Sequence, residues 1–232
     1  MLDNPAIKCT LMKKNTLSEI QSGNLGSILV SIRGLGQTIL YLKKDIKGPH
    51  AFARYQTWIS EETEKTYYFF RFKPSEYLEN YVLHKWQDLM VNGEELDLSY
   101  MKVWSMSEKD YLPLGQKTNE KLGIKDVEFI PKKDISSSMI GFLNVYTDFG
   151  EIVNIKVGIN EDKNKNKSFF LMDPSFYNVE KNINFSKFKL FPELKIFLCR
   201  FLQYYYNIGE IKFVNVVNIP DLESLFEGEQ II

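Results

Sequence analysis

One order of elements occurs twice along this chain: four short β-like runs and then an amphipathic helix, over residues 27–91 and again over 125–206. A strand with one buried face alternates at period two, and a surface helix repeats its apolar residues at 3.6. Elements of this kind bury their apolar faces against one another. The expected fold is therefore α+β, with two ββββα-like modules whose antiparallel sheets are each backed by a helix. The expected division is 1–95 for the first module with an N-terminal extension, 96–123 for a linker, 124–219 for the second module and 220–232 for an acidic tail.

In the first copy, 28–33 and 37–43 are apolar runs joined by Gly34-Leu35-Gly36, the residue types that a tight hairpin needs. Runs 50–60 and 66–73 flank a polar turn at 61–65 and read as a second hairpin. Pro74-Ser75-Glu76 opens a helix in which Leu78, Val82, Leu83, Trp86, Leu89 and Met90 recur at helical spacing, closed by Asn92-Gly93. Alternation then divides each strand. Leu40 and Leu42 are expected inside with Tyr41 and Lys43 opposite; Ala51, Ala53, Tyr55 and Thr57 oppose His50, Phe52, Arg54, Gln56 and Trp58. Tyr68, Phe70 and Phe72 are expected to face the helix, leaving Tyr67, Phe69, Arg71 and Lys73 outward.

The outward set, Tyr41, Lys43, Phe52, Arg54, Trp58, Tyr67, Phe69, Arg71 and Lys73, mixes flat rings with cations. Rings on which unpaired bases stack contribute about 1–3 kcal/mol per base, and Arg or Lys neutralise the phosphates between them. Single-stranded DNA or RNA is thus the expected partner. A protein or homodimer interface stays open beside it, since aromatic residues are also enriched at interfaces. Position carries this reading, because 17 Phe and 13 Tyr can reflect AT-rich coding, as in a phage or plasmid of a low-GC host.

The second copy is sparser. Runs 124–130, 139–147, 151–159 and 168–172 precede a helix over 190–206 carrying Leu194, Phe197, Leu198, Phe201, Leu202 and Tyr205, and a further strand is expected at 211–219. Val153, Ile155, Val157 and Ile159 are expected on one face with Asn154 and Lys156 opposite; Phe142 and Tyr146 complete the thin counterpart of the first copy's outward set. A strand is also expected near 101–106.

Charge is uneven. No Lys or Arg follows Lys212, and removing the tail acids Asp221, Glu223, Glu227 and Glu229 from a net charge of −1 leaves +3 on the body. The tail carries Leu222, Leu225, Phe226, Ile231 and Ile232, which suit either recruitment of a protein partner or a short helix docked on the body. Cys9 and Cys199 lie far apart without CxxC or His companions, so no metal and no disulfide framework is expected. With His50 and His84 the only imidazoles and no nucleophile or dinucleotide motif, the chain is expected to be no enzyme and to need no cofactor. No signal peptide and no apolar run of membrane length is read, so a cytoplasmic setting is expected.

The segments Ile124-Lys125-Asp126-Val127, 151–159, Phe169-Phe170-Leu171-Met172-Asp173-Pro174-Ser175 and Ile183-Asn184, with a helix ending in Tyr204-Tyr205-Tyr206, resemble the order in SpoVG-type proteins. Here Asp173 separates Met172 from Pro174, and Phe176-Tyr177-Asn178 stand where that family has basic residues, so no DNA-contact residue is carried over. In element order the whole chain is similar to the tandem ββββα repeats of PUR and Whirly-like proteins, a resemblance that implies single-stranded nucleic-acid binding across a curved sheet.

Overall fold

Gly34 and Leu35 turn the chain between two antiparallel strands, β2 (Asn24–Ile32) and β3 (Gly36–Asp45), whose buried residues alternate as Ile28, Val30, Ile32 and Thr38, Leu40, Leu42. β1 (Ile7–Lys13) pairs with β2 on one side, and β4 (Gly48–Ala53) pairs with the later part of β3 on the other. A single-turn helix, α1 (Leu17–Gln21), opens with a Thr16–Glu19 capping box between β1 and β2. The computed structural model describes residues 4–13, 15–54, 56–64, 66–91, 123–132, 138–178, 183–207 and 215–216.

After β4 the chain forms a separate hairpin of β5 (Gln56–Ile59) and β6 (Thr66–Phe69), then the short strand β7 (Phe72–Pro74) and helix α2 (Glu76–Val91). The helix buries Leu78, Tyr81, Val82, Leu83 and Trp86 against β4, β1 and β2. The second copy follows the same order. β8 (Ile124–Pro131), β9 (Met139–Thr147), β10 (Gly150–Glu161) and β11 (Lys167–Met172) form a meander. A separate hairpin of β12 (Ser175–Asn178) and β13 (Ile183–Ser186) follows, then β14 (Lys189–Leu190) and helix α3 (Pro192–Asn207). Strand β15 (Asn215–Val216) closes the edge beside β8. The fold is α+β, with antiparallel sheets and helices packed on them.

The strand before each helix does not join its own sheet. β7 pairs with the start of β10, Gly150 opposite Pro74 and Glu151 opposite Lys73, while β14 pairs with the start of β3, Gly36 opposite Leu190 and Gln37 opposite Lys189. The flanking bonds match: Ser75 N donates to the Phe149 carbonyl at 3.0 Å, and Phe191 N donates to the Leu35 carbonyl at 2.9 Å. Each crossing needs a glycine. A Cβ at Gly150 would strike the Lys73 carbonyl oxygen, and one at Gly36 would strike the Lys189 carbonyl oxygen and the Phe188 ring. Between the crossings Phe72 meets Phe188, their centroids 4.8 Å apart and both rings buried. Buried residues of both copies belong to one continuous core.

Several expected elements differ. Run 50–60 divides into β4 and β5; run 66–73 divides into β6 and β7, because β10 captures Phe72–Pro74. Phe72 is buried as expected, but Phe70 is 38% exposed and does not share its face. In β10 a bulge with Asn154 at φ 60° adds one residue between Ile152 and Ile155, so Ile152 rather than Val153 joins Ile155 and Val157 in the core. Of the expected linker, residues 96–122 lie outside the described residues, as do the expected strand near 101–106, the tail 220–232 and all of 211–219 except β15. No described helix is long and apolar enough to cross a membrane.

Truncating a buried Phe costs about 3–5 kcal/mol. Urea unfolding of Phe72→Ala and Phe188→Ala should show losses of that order, and the double variant should fall short of their sum by the ring-pair coupling of about 0.5–1.5 kcal/mol. Strict additivity would mean that the two rings do not share one junction.

Candidate nucleic-acid interface

Sheet alternation presents Gln37, Ile39, Tyr41 and Lys43 of β3 on the face opposite the core, beside Leu29 of β2 and Phe52 of β4. Tyr41 and Phe52 are direct cross-strand partners, with ring centroids 6.2 Å apart and planes tilted by 32°. Both are half-buried, so each ring keeps an accessible part. Lys43 is exposed opposite His50, whose Nε2 lies 3.2 Å from Asp45 Oδ2 at the far end of the face. Asp45 is the one acid on this face among the described residues of β1 to β4.

At the other end Arg54, the first residue after β4, borders a half-open cleft of about 280 Å³ with Tyr41, Gln37, Lys187 and Lys189, floored by Leu29 and Ile39. Strand exchange puts the two lysines there. β14 sets Lys189 opposite Gln37, and Thr38 Oγ1 donates to the Lys187 carbonyl at 2.5 Å, which fixes the chain entering that strand. Partial burial, and then the nearby Arg54 charge, lower the pKa of Lys187. Among the described residues Lys43, Arg54 and Lys189 form no ion pair.

The nine residues expected on one outward face fall into three places. Tyr41, Lys43, Phe52 and Arg54 come together on the first sheet. Trp58, Tyr67 and Phe69 lie on the separate β5–β6 hairpin, with Trp58 paired to Tyr67, and their side chains are outside the described set. Arg71 and Lys73 do not join the first group, because their segment crosses to the second sheet. Arg71 is half-buried; its Nε donates to the Ser175 carbonyl at 3.3 Å, its Nη1 to the Phe70 carbonyl at 3.2 Å, and desolvation lowers its pKa. Lys73 pairs with Glu151 at 3.4 Å. Lys187 and Lys189 are absent from the sequence-derived set, since nothing local links them to β3.

The second sheet's corresponding face is chemically different. Glu128 Oε2 accepts from Asn144 Nδ2 at 2.9 Å and from the Tyr146 hydroxyl at 3.2 Å; burial and then Glu128 raise the Tyr146 pKa. Lys195 pairs with Asp173 at 2.9 Å and Lys125 with Asp148 at 2.7 Å, so these two cations have carboxylate partners. Among the described residues no group of three or more His, Cys, Asp or Glu is arranged to hold a metal. The His84 Nε2 is buried without a hydrogen-bond partner in the middle of α2.

Compared with protein-family models, with curated proteins and with solved structures, the chain matches none.

The two arginines should separate in stability measurements. Arg71→Ala removes two carbonyl contacts from a partly desolvated cation and should cost about 1–3 kcal/mol, whereas the exposed Arg54→Ala should stay within about 0.5 kcal/mol of wild type. Equal losses in denaturant unfolding would contradict these separate roles.

Proposed function

We propose that the chain binds single-stranded DNA or RNA across the open face of the first sheet. The observation that carries this reading is the Tyr41–Phe52 ring pair set between Lys43 at one end and Arg54, Lys187 and Lys189 at the other. Unpaired bases offer π faces to such rings, and the flanking cations match the charge of the backbone between them. A duplex hides those faces within its own stack, so it is the poorer ligand. The element-order resemblance to PUR and Whirly-like proteins implies the same class of ligand.

A second reading has one observation in its favour. Ile39, 37% exposed, adjoins Leu29 on the same face, which also suits a protein partner or a homodimer. Light scattering that finds a strict monomer removes the homodimer form of it.

Fluorescence anisotropy with labelled single-stranded oligonucleotides tests the proposal. Affinity should fall linearly in log salt, as counterion release requires. Tyr41→Ala combined with Phe52→Ala should weaken binding tenfold or more, consistent with about 1–3 kcal/mol per stacked base. Absence of binding at low salt, or binding indifferent to both ring substitutions, would rule the proposal out.

A further inference from the structure

Strand exchange makes the two copies of the repeat comparable residue by residue, and several matched positions differ in charge. In the second sheet Lys73 stands opposite Glu151, and the two form an ion pair. At the matched place in the first sheet Lys189 stands opposite Gln37. The residue before each crossing phenylalanine is Arg71 in one case and Lys187 in the other. The residue that follows the fourth meander strand is Asp173 after β11 and Arg54 after β4. Around the second sheet Lys73, Arg71 and Lys195, which pairs with Asp173, thus stand with Glu151 and Asp173, a formal charge of +1; the matched first-sheet positions hold Lys189, Lys187 and Arg54 with Gln37 in place of Glu151 and Glu79 in place of Lys195, a charge of +2.

We infer that the cleft where β14 crosses β3 is a phosphate seat assembled from both copies of the repeat, with Arg54 from the first and Lys187 and Lys189 from the second as its cations. The seat deepens the nucleic-acid reading, on which it rests only for the identity of the molecule that carries the phosphate. Arg54 supplies a planar donor fork suited to two phosphate oxygens, and lysine supplies a compact point charge. The apolar floor of Leu29 and Ile39 reduces local screening, so the clustered charge acts more strongly on an anion than it would in open water. Burial and then the neighbouring Arg54 charge lower the pKa of Lys187, as expected where cations crowd one cleft. An anion relieves that repulsion. The cleft's volume of about 280 Å³ lies near the lower end of ordinary small-ligand pockets, roughly 300–1,000 Å³. It therefore suits one phosphate with its sugar, and Tyr41 at the rim meets the attached base.

The decisive substitution is Gln37→Glu, which gives the first sheet the carboxylate that the second already has opposite its lysine. It is nearly isosteric and should preserve the fold; Lys189→Gln serves as a second variant. Amide resonances of Thr38, Ile39 and Lys189 are followed by NMR during titration with inorganic phosphate and then with a nucleoside monophosphate. Oligonucleotide anisotropy is measured on the same proteins. Saturable shifts are expected in wild type and in the second-sheet control Lys73→Ala, with at least tenfold weaker phosphate binding in Gln37→Glu and Lys189→Gln. Arg54→Ala and Lys189→Gln should each lower the oligonucleotide salt slope by about one.

Phosphate shifts that Gln37→Glu abolishes, in a protein that binds no oligonucleotide, would support the seat and overturn the nucleic-acid reading in favour of a small phosphate ester. Oligonucleotide binding whose affinity and salt slope ignore all these substitutions, with no phosphate-induced shifts, would overturn the seat and leave that reading standing. Absence of both kinds of binding would overturn both.

Discussion

Phe72 against Phe188 is the contact on which the rest of the molecule depends, because it lies where each copy of the repeat lends a strand to the other's sheet. Without β14, the start of β3 would expose backbone groups at Gly36 and Gln37; without β7, the start of β10 would do so at Gly150 to Ile152. Unpaired edges of this kind are costly when buried and adhesive when exposed. The exchange closes both, and burying each ring adds roughly 2–3 kcal/mol. The glycines at the crossings follow from the same constraint, since at each a Cβ would collide with the incoming strand. The result is one core drawn from both copies.

Backbone symmetry of this kind leaves the side chains free to diverge, and beside the shared Phe-Lys pair of the crossings they do. Around β10 the cations meet carboxylates, Lys73 with Glu151 and Lys195 with Asp173. Around β3 the matched lysine faces Gln37, while Arg54 stands where Asp173 stands in the other copy. A cluster of like charges is a poor contribution to stability, and such local conflicts tend to mark functional positions. The proposed site thus arises from the junction of the two copies, with Tyr41 and Phe52 extending it along the first sheet.

Much of the fold is legible in the sequence. Period 3.6 marks both long helices, and alternation marks β3 and β9 from Gly141 onward, because those elements bury one face. The breaks after Ala53 and Phe69 are not legible, since neither 50–60 nor 66–73 contains Gly or Pro and their alternation runs on uninterrupted. Long-range capture by β10 imposes the second break, and with it the loss of Arg71 and Lys73 from the expected face. β1 is a different case: Ile7, Cys9 and Leu11 alternate with the exposed Lys8, Thr10 and Met12, but Lys8, Lys13 and Lys14 make the segment read in sequence as a polar extension. For the site, Tyr41, Lys43, Phe52 and Arg54 follow from local alternation, whereas Lys187 and Lys189 require knowledge of the exchange. The one available signal is the repeated Phe-Lys pair, Phe72-Lys73 and Phe188-Lys189, each a few residues before its helix.

Native-state amide hydrogen exchange tests the interlocked architecture most directly. The Ser75 and Phe191 amides, which bond across the junction to the Phe149 and Leu35 carbonyls, should exchange through the same global opening as the central amides of β3 and β10. Exchange of the junction amides at a far lower opening free energy, with the two sheets protected to different extents, would contradict a fold held together by exchanged strands.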